Sequence, residues 1–553
     1  MRKLLIKNGL IFDPLNEISG EKKDILIEDG KIIDKFSSQE DLKEIDASGK
    51  TVIPAAIDIH AHIASQQVNW ARLLGSKNQK FIETWNRLTL KNIAIDYIAN
   101  GYTFIIDANV YPSLSKQTIF NFSNLPVLDK GMLLNVGNLW VLEDEFQRGK
   151  IEEISYFISD ILSMCKGFGI KAYNPFEAES WNFKELRDNV EQGGRLYNFS
   201  SLEVYKNLTD AVENLKLPHS VHAHIEGYEN IVGKNNLKKV LENIDFSNLV
   251  RENEKSITRD QIFHLAHANS YNIDGDNSEL LSVINSNNAI DLDLGFIGFD
   301  DINPLITSDR RLINNHMKKD NGEAKVIRTA YETEGDSFVS FRKFDKKNKE
   351  HCMLWANCLE LALKTENKWQ IQLSFNFPHY SHVKNLPKIV SWLISVEARE
   401  NFMKNMNNDF LNNTSLNEIN NFLTFNDIVT ITRASPAKSL GLAEMKGNFS
   451  LGADGDVNII DIDLNEIDIS KEYEKIEESL KNIEYVIKGG KIIKKNDKLD
   501  LESNGKIFWT EGKTNVDERK KYIEKKKQFY QKYYSTFYEN LENIVDEKYL
   551  RKI

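Results

Sequence analysis

Between residues 54 and 440, short apolar runs of strand length alternate with longer amphipathic segments, and this alternation leaves few folds open. The runs "YTFIIDANV", "GFGIKAYN", "HSVHAHIE", "QIFHLAHAN" and "AIDLDLGFIGF" are separated by helix-type stretches such as "LTDAVENLK" and "SELLSVINSNN". Repeated β–α units over this length predict an α/β fold with a parallel sheet, here a (β/α)8 TIM-like barrel. Residues 1–53 and 441–512 have another texture, with short β-type runs broken by NG, DG and GG pairs. Two separated segments of one style predict a small β-sandwich domain formed by both chain ends, the NG and DG pairs reading as hairpin turns. Residues 513–553, rich in Lys, Glu and Tyr, predict a helical tail whose lysines form a solvated face and whose tyrosines could dock on a neighbouring protein of a complex.

Charge and cysteine content narrow the function. A net charge of −11 argues against nucleic acid as a partner, because phosphate binding requires a basic face. Cys165, Cys352 and Cys358 form no CxxC pair, fit a reducing compartment and are too few for an iron–sulfur cluster. The opening "MRKLLIKNGLIFDPL" is interrupted by Lys7, Asn8 and Asp13 too early for a signal-peptide core. With no run of 18 apolar residues, a cytoplasmic protein with no membrane span is expected.

The chemistry-bearing residues sit where barrel strands would end. "AAIDIHAHIAS" places His60 and His62 two apart, so both imidazoles point to one face. Two neutral imidazoles from one strand end make half a site for a borderline divalent metal, although HxH alone is a weak signal. In "GFGIKAYNPF", Lys171 is either an ordinary lysine reaching the surface or a lysine carbamylated by CO2 that bridges two cations, since a free ammonium would repel them. "LPHSVHAHIEG" holds His222 and His224 on one strand face, with His219 on the other parity. "QIFHLAHANSY" holds His264 and His267, again of opposite parity, so one of them at most is expected to reach the barrel axis. Singly, each histidine is more often a hydrogen-bonded structural residue; their gathering on the β-run ends of one barrel points to a metal centre.

Taken in order, the HxH, KxxNP and PHxxHxH motifs, with "GYTFIIDANVYPSL", "LDLGFIGF" and "ITRASPAKSLGL", resemble the amidohydrolase superfamily. Within it the chain is similar to the A subunits of formylmethanofuran dehydrogenase and of the bacterial formyltransferase/hydrolase complex. The resemblance covers nearly the whole chain. It implies a site for two divalent metal ions, zinc in the family, in one component of a multi-subunit complex. The reaction implied is hydrolysis or formation of the N-formyl amide of a formylmethanofuran-like substrate, linking formate and methanofuran in one-carbon metabolism. Position by position, His60 and His62 match the first metal pair, Lys171 the carbamylated bridge, His224 (or His222) the next histidine and His267 the last.

One position departs from the family. In "SFNFPHYSHVKNLP", Asn376 stands where the family has a metal-binding aspartate, with Pro378 and Pro387 fixing the register. An amide offers a neutral oxygen but cannot take up a proton. Three readings follow: a hydrolase in which His379, Asp309 or Glu226 supplies the base, a metal-binding scaffold of the complex with impaired catalysis, or an amidohydrolase acting on another amide.

Overall fold

In a computed structural model, the described residues are 2–553 other than 39, 75–85, 178, 181–184, 187–188, 196–197, 247–258, 300–301, 320–324 and 328–336. The chain opens with β1 (Lys3–Asp13), β2 (Ile18–Glu28), β3 (Lys31–Ile33), β4 (Leu42–Asp46) and β5 (Thr51–Pro54). The Asp29-Gly30 pair closes the β2–β3 hairpin, both residues at positive φ. The Asn8-Gly9 pair does not make a hairpin, which corrects the sequence expectation: it lies inside β1, at a register shift against β2. Asn8 takes the left-handed conformation there, and a side chain at Gly9 would come within 2.5 Å of Val52. The pair is a bulge that lets β5 pack closely.

The barrel follows. Its strands are β6 (Ala56–Ala61), β7 (Tyr102–Val110), β8 (Asp129–Asn135), β9 (Gly169–Tyr173), β10 (Val221–His224), β11 (Phe263–Leu265) and β12 (Ile290–Asp293). All pair in parallel with their neighbours in this order. Between β12 and the last barrel strand the chain makes a separate antiparallel sheet of β13 (Ile302–Thr307), β14 (Lys325–Ile327) and β15 (Ser337–Lys343). The eighth strand, β16 (Ile371–Gln372), pairs with β12, and an Ala61–Phe377 bridge brings the ends of the sheet together. This is a nearly closed (β/α)8 barrel. Its helices carry ordinary signals: Ser201–Asn214 begins with a Ser200/Glu203 capping box, and Thr89 caps Leu90–Ala99.

Beyond the barrel, β17 (Val457–Ile460), β18 (Tyr485–Lys488), β19 (Lys491–Lys495) and β20 (Lys498–Leu499) return to the first sheet through the β17–β5 pairing. The combined sheet forks at β1, which pairs with β2, β4 and β5, and it encloses a core of its own with Leu4, Ile6, Ile27, Val457 and Ile487. β21 (Ile507–Trp509) joins β8, and β22 (Leu550–Lys552) joins β21; the helix Val516–Tyr533 lies between them in sequence. None of the three cysteines is bonded to another. No helix of the described residues is long and apolar enough to cross a membrane.

A buried ionic joint ties the two sheets together. The Lys446 ammonium lies 2.8 Å from Asp129 of β8, 2.9 Å from Asp454 and 2.7 Å from Asp456, and Lys488 adds a second contact to Asp129. Three buried carboxylates this close resemble a cation site, but the ammonium already fills it. Burial alone would raise Asp129, yet Lys446 and Lys488 hold it far below the ordinary aspartate value. A depressed carboxylate stabilises the fold at pH above the ordinary value of 3.8, and that contribution is lost as the pH falls further. Lys446→Met removes the one ammonium shared by all three aspartates, leaving Asp129 to Lys488 and Asp454 to Lys31 and Arg551, and should cost up to about 3–5 kcal/mol in chemical denaturation. A loss near zero would show that the joint carries no such weight.

Candidate metal centre

The C-terminal ends of the barrel strands bring the candidate residues together. His60 lies on β6 and His62 just beyond it, Lys171 is on β9, His224 ends β10, His267 follows β11, and Asn376 and His379 follow β16. All seven line one cavity of about 50 Å³, with Asn109, Tyr111, Tyr173, Tyr228 and Tyr380 on its walls and Leu305–Thr307 of β13, with Ser308 just beyond it, as its roof. The loop after His62 is held by Asp107, whose carboxylate accepts from the backbone N–H groups of Ile63, Ala64 and Ser65 at 2.7–3.0 Å. Asn376 sits at φ +42°, a conformation that Asn and Asp tolerate better than other side chains.

Two histidine expectations need correction. His264 and His267 both reach the interior, because β11 ends at Leu265 and His267 turns back at φ +34°, which breaks the strand parity. His219, placed on the other parity, precedes β10 and also enters the interior, with its Nε2 3.2 Å from Nδ1 of His222. His222 pairs in register with Lys171 and lies one level deeper than His224; the cavity is lined by His224 and not by His222.

Of the three groups expected to supply a base, only His379 lines the cavity. Its Nδ1 lies 3.2 Å from the Ile306 N–H and 3.1 Å from the Pro304 carbonyl, and its ring is 4.7 Å from that of His62. Asp309 instead caps the helix Arg310–Lys319, accepting from the N–H groups of Arg311 and Leu312 at 2.9 Å. Glu226 accepts from the Tyr205 hydroxyl at 2.8 Å, and burial raises its carboxyl to about 7. Both lie off the cavity because their oxygens satisfy local structure.

Electrostatically the pocket is a ring of neutral donors. Burial lowers His60 to about 4 and His379 to about 3, and holds His62, His224 and His267 well below the ordinary histidine value. Burial also brings Lys171 down to about 7, so a large share of its amine is uncharged and nucleophilic near neutrality.

These residues fit a pair of cations. Among the described residues, Lys171 Nζ, His224 Nε2 and Asn376 Oδ1 are buried with no hydrogen-bond partner, an expensive arrangement for groups that border one cavity. Nδ1 of His224 and Nε2 of His267 converge to 2.7 Å, a hydrogen-bond separation at which one of the two nitrogens carries a proton. A carbamate on Lys171 would turn a potential positive charge into a negative one, which two divalent ions in a nearly neutral pocket require. His60, His62, Asn376 and Lys171 could hold one ion, and Lys171, His224 and His267 the other.

Sequence reasoning missed a polar tier beneath this cavity. His60 Nδ1 lies 2.9 Å from the carboxylate of Asp293 on β12, and that carboxylate is 3.2 Å from Nε2 of His264. His264 Nδ1 faces Asp291 at 2.9 Å. Burial opposes charge on His264, but the two carboxylates win and raise it to about 9. The signal was present in "AIDLDLG": Asp291 and Asp293 occupy alternate positions, hence one face, of an otherwise apolar strand.

Fold and donors together define a barrel of the amidohydrolase type, and comparison with known proteins narrows it. No protein-family model matches the chain. It is 28% identical to protein FwdA of Methanocaldococcus jannaschii over 477 residues, 83% of this chain and 82% of that protein. It is 24% identical to the A subunit of the formyltransferase/hydrolase complex Fhc of Methylorubrum extorquens over 462 residues, covering 79% and 80%. Among solved structures, the formyltransferase/hydrolase complex FhcABCD of Methylorubrum extorquens, in complex with methylofuran, superposes with a TM-score of 0.86 at 21% identity over 100% of this chain and 99% of that one. The chain shares the fold of the Fhc structure and is similar over about four fifths of its length to FwdA and to the Fhc A subunit.

Proposed function

We propose that the chain is the A subunit of a complex of the FwdA or Fhc type, and that its cavity hydrolyses, or in reverse forms, the N-formyl amide of a formylmethanofuran-like carrier. The observation that carries this reading is the convergence of His60, His62, Lys171, His224 and His267 on one cavity, with Lys171 Nζ buried and unpartnered among the described residues. Similarity to FwdA and to the Fhc protein over about four fifths of each chain supports the partner subunits, and the methylofuran in the solved Fhc complex supports the carrier. The ligands we assign are His60, His62, Asn376, carbamylated Lys171, His224 and His267.

Two divalent ions held there would supply an activated water and polarise the formyl oxygen. The chain's own residues do the rest. Leu305 and Ile306 of the roof, with Tyr111 and Tyr380, line a space of about 50 Å³, room for a group the size of a formyl. Thr307 is held there by the hydroxyls of Tyr173 and Tyr228, at 3.2 and 2.5 Å, which fixes the roof over the ligands. Asn376 presents its amide oxygen but takes no proton. His379 is the neutral group left in position to accept and return one, weakly, because burial resists its charging.

That weakness supports a second reading, in which the protein holds metal and organises its complex while turning over slowly. One experiment separates the two: metal analysis of the purified complex together with formate release from formylmethanofuran. Two metals per chain with multiple turnovers is the expected result. Two metals without formate release supports the scaffold. Absence of metal refutes the centre.

A further inference from the structure

Every polar group in the tier below the cavity is fully buried: His219, His222, His264, Asp291 and Asp293 are all inaccessible to solvent. The Ser439 carbonyl can only accept, so the Nδ1 of His219, 2.8 Å away, carries a proton. Nε2 of His219 lies 3.2 Å from Nδ1 of His222, and Nε2 of His222 lies 3.1 Å from Nδ1 of His60. The Asp293 carboxylate approaches the same Nδ1 from 2.9 Å. An ionised carboxylate can only accept, so that nitrogen is the one placed to carry the His60 proton.

We propose that Asp293 is a positioning residue that draws the His60 proton to Nδ1, so that Nε2 offers its lone pair to a cation in the cavity. The proposal rests on the reading of His60 as a metal ligand. Asp293 is itself fixed from two sides. One oxygen accepts from the Ser374 hydroxyl; the other, shared with His60, lies 3.2 Å from His264, whose far nitrogen is anchored on Asp291. Gln372 donates to the remaining oxygen of Asp291 at 3.1 Å. The His60 backbone is also held, since its N–H donates to Asp58 at 3.0 Å. With backbone and Nδ1 both tied, the imidazole has one orientation and one tautomer. An anionic acceptor also makes the opposite nitrogen a stronger donor to metal.

The test is zinc and cobalt(II) titration of the metal-stripped full chain, wild type against Asp293→Asn and Ser374→Ala. Asp293→Asn should weaken one of the two ions by about 10–100-fold and shift the visible cobalt spectrum of that ion, with far-UV circular dichroism unchanged. Ser374→Ala disturbs the same packing but keeps the carboxylate on His60, and should stay near wild type. Two wild-type-like ions in Asp293→Asn overturn the proposal and leave the metal centre standing; so does an equal loss in Ser374→Ala, which would make the effect one of packing. A wild-type chain that takes up no metal overturns both readings. Should Asp293→Asn fail to fold, a crystal structure of the zinc-loaded wild type decides: ligation through Nε2 of His60 is expected, and ligation through Nδ1 overturns the proposal.

Discussion

In the proposed two-ion centre, Lys171→Met should remove the bridging ligand and, with it, the proposed formate release by about a thousandfold or more. A Lewis-acid contribution of several kcal/mol disappears when the ions are lost or displaced, at about 1.4 kcal/mol per factor of ten. The same substitution should move stability in the opposite direction. In the metal-free chain Lys171 is fully buried, and its Nζ has no partner among the described residues. Replacing a desolvated amine with a thioether of similar length removes that cost, so the metal-stripped variant should be more stable by about 1–3 kcal/mol. Metal analysis, formate release and denaturation of the stripped proteins measure the three quantities. A variant that keeps two tightly held metals would show that Lys171 is not the bridge. A stripped variant less stable than wild type would show that the lysine packs for its own sake.

Asn376→Asp should have the second largest effect, in the direction of gain. The position tolerates the change: φ +42° is as accessible to Asp as to Asn. A carboxylate there adds a negative charge beside the ions and a group able to shuttle a proton, and a well-placed general base contributes about 10²–10⁴-fold. If Asn376 is what limits this chain, formate release should rise by about that factor with metal content unchanged. An unchanged rate, in a wild type that is already fast, would mean that His379 or the bound water itself does the work. His379→Ala then separates those two, since only the first loses activity.

The sequence was legible where local geometry sufficed. His60 and His62 share a face because strand side chains alternate, and Lys171, His224 and Asn376 stand at the ends of runs whose apolar character marked them as barrel strands. It was illegible where the chain leaves the strand. Parity could not place His267, because the left-handed turn after Leu265 is invisible in an apolar–polar pattern, nor His219, which precedes the first paired residue of β10. The antiparallel sheet β13–β15 interrupts the β–α rhythm and was not foreseen, although it roofs the cavity. Asp309 and Glu226 were considered for their charge alone. A Ser-Asp pair just before a helix is a capping signature, and that is the work Asp309 performs.

The pairing of β5 with β17 bears on how the chain is made. Pro54 leaves the ribosome with its pairing edge unfilled, and its partner Val457 follows about 400 residues later. At 5–20 residues per second, the unfilled edge waits roughly 20–80 s during synthesis. Through that interval the β-branched residues Val52 and Ile53, buried in the finished protein, have no native cover. The last pairing of the first sheet, and with it the closed core around Val52 and Val457, therefore forms only after nearly the whole barrel has been made.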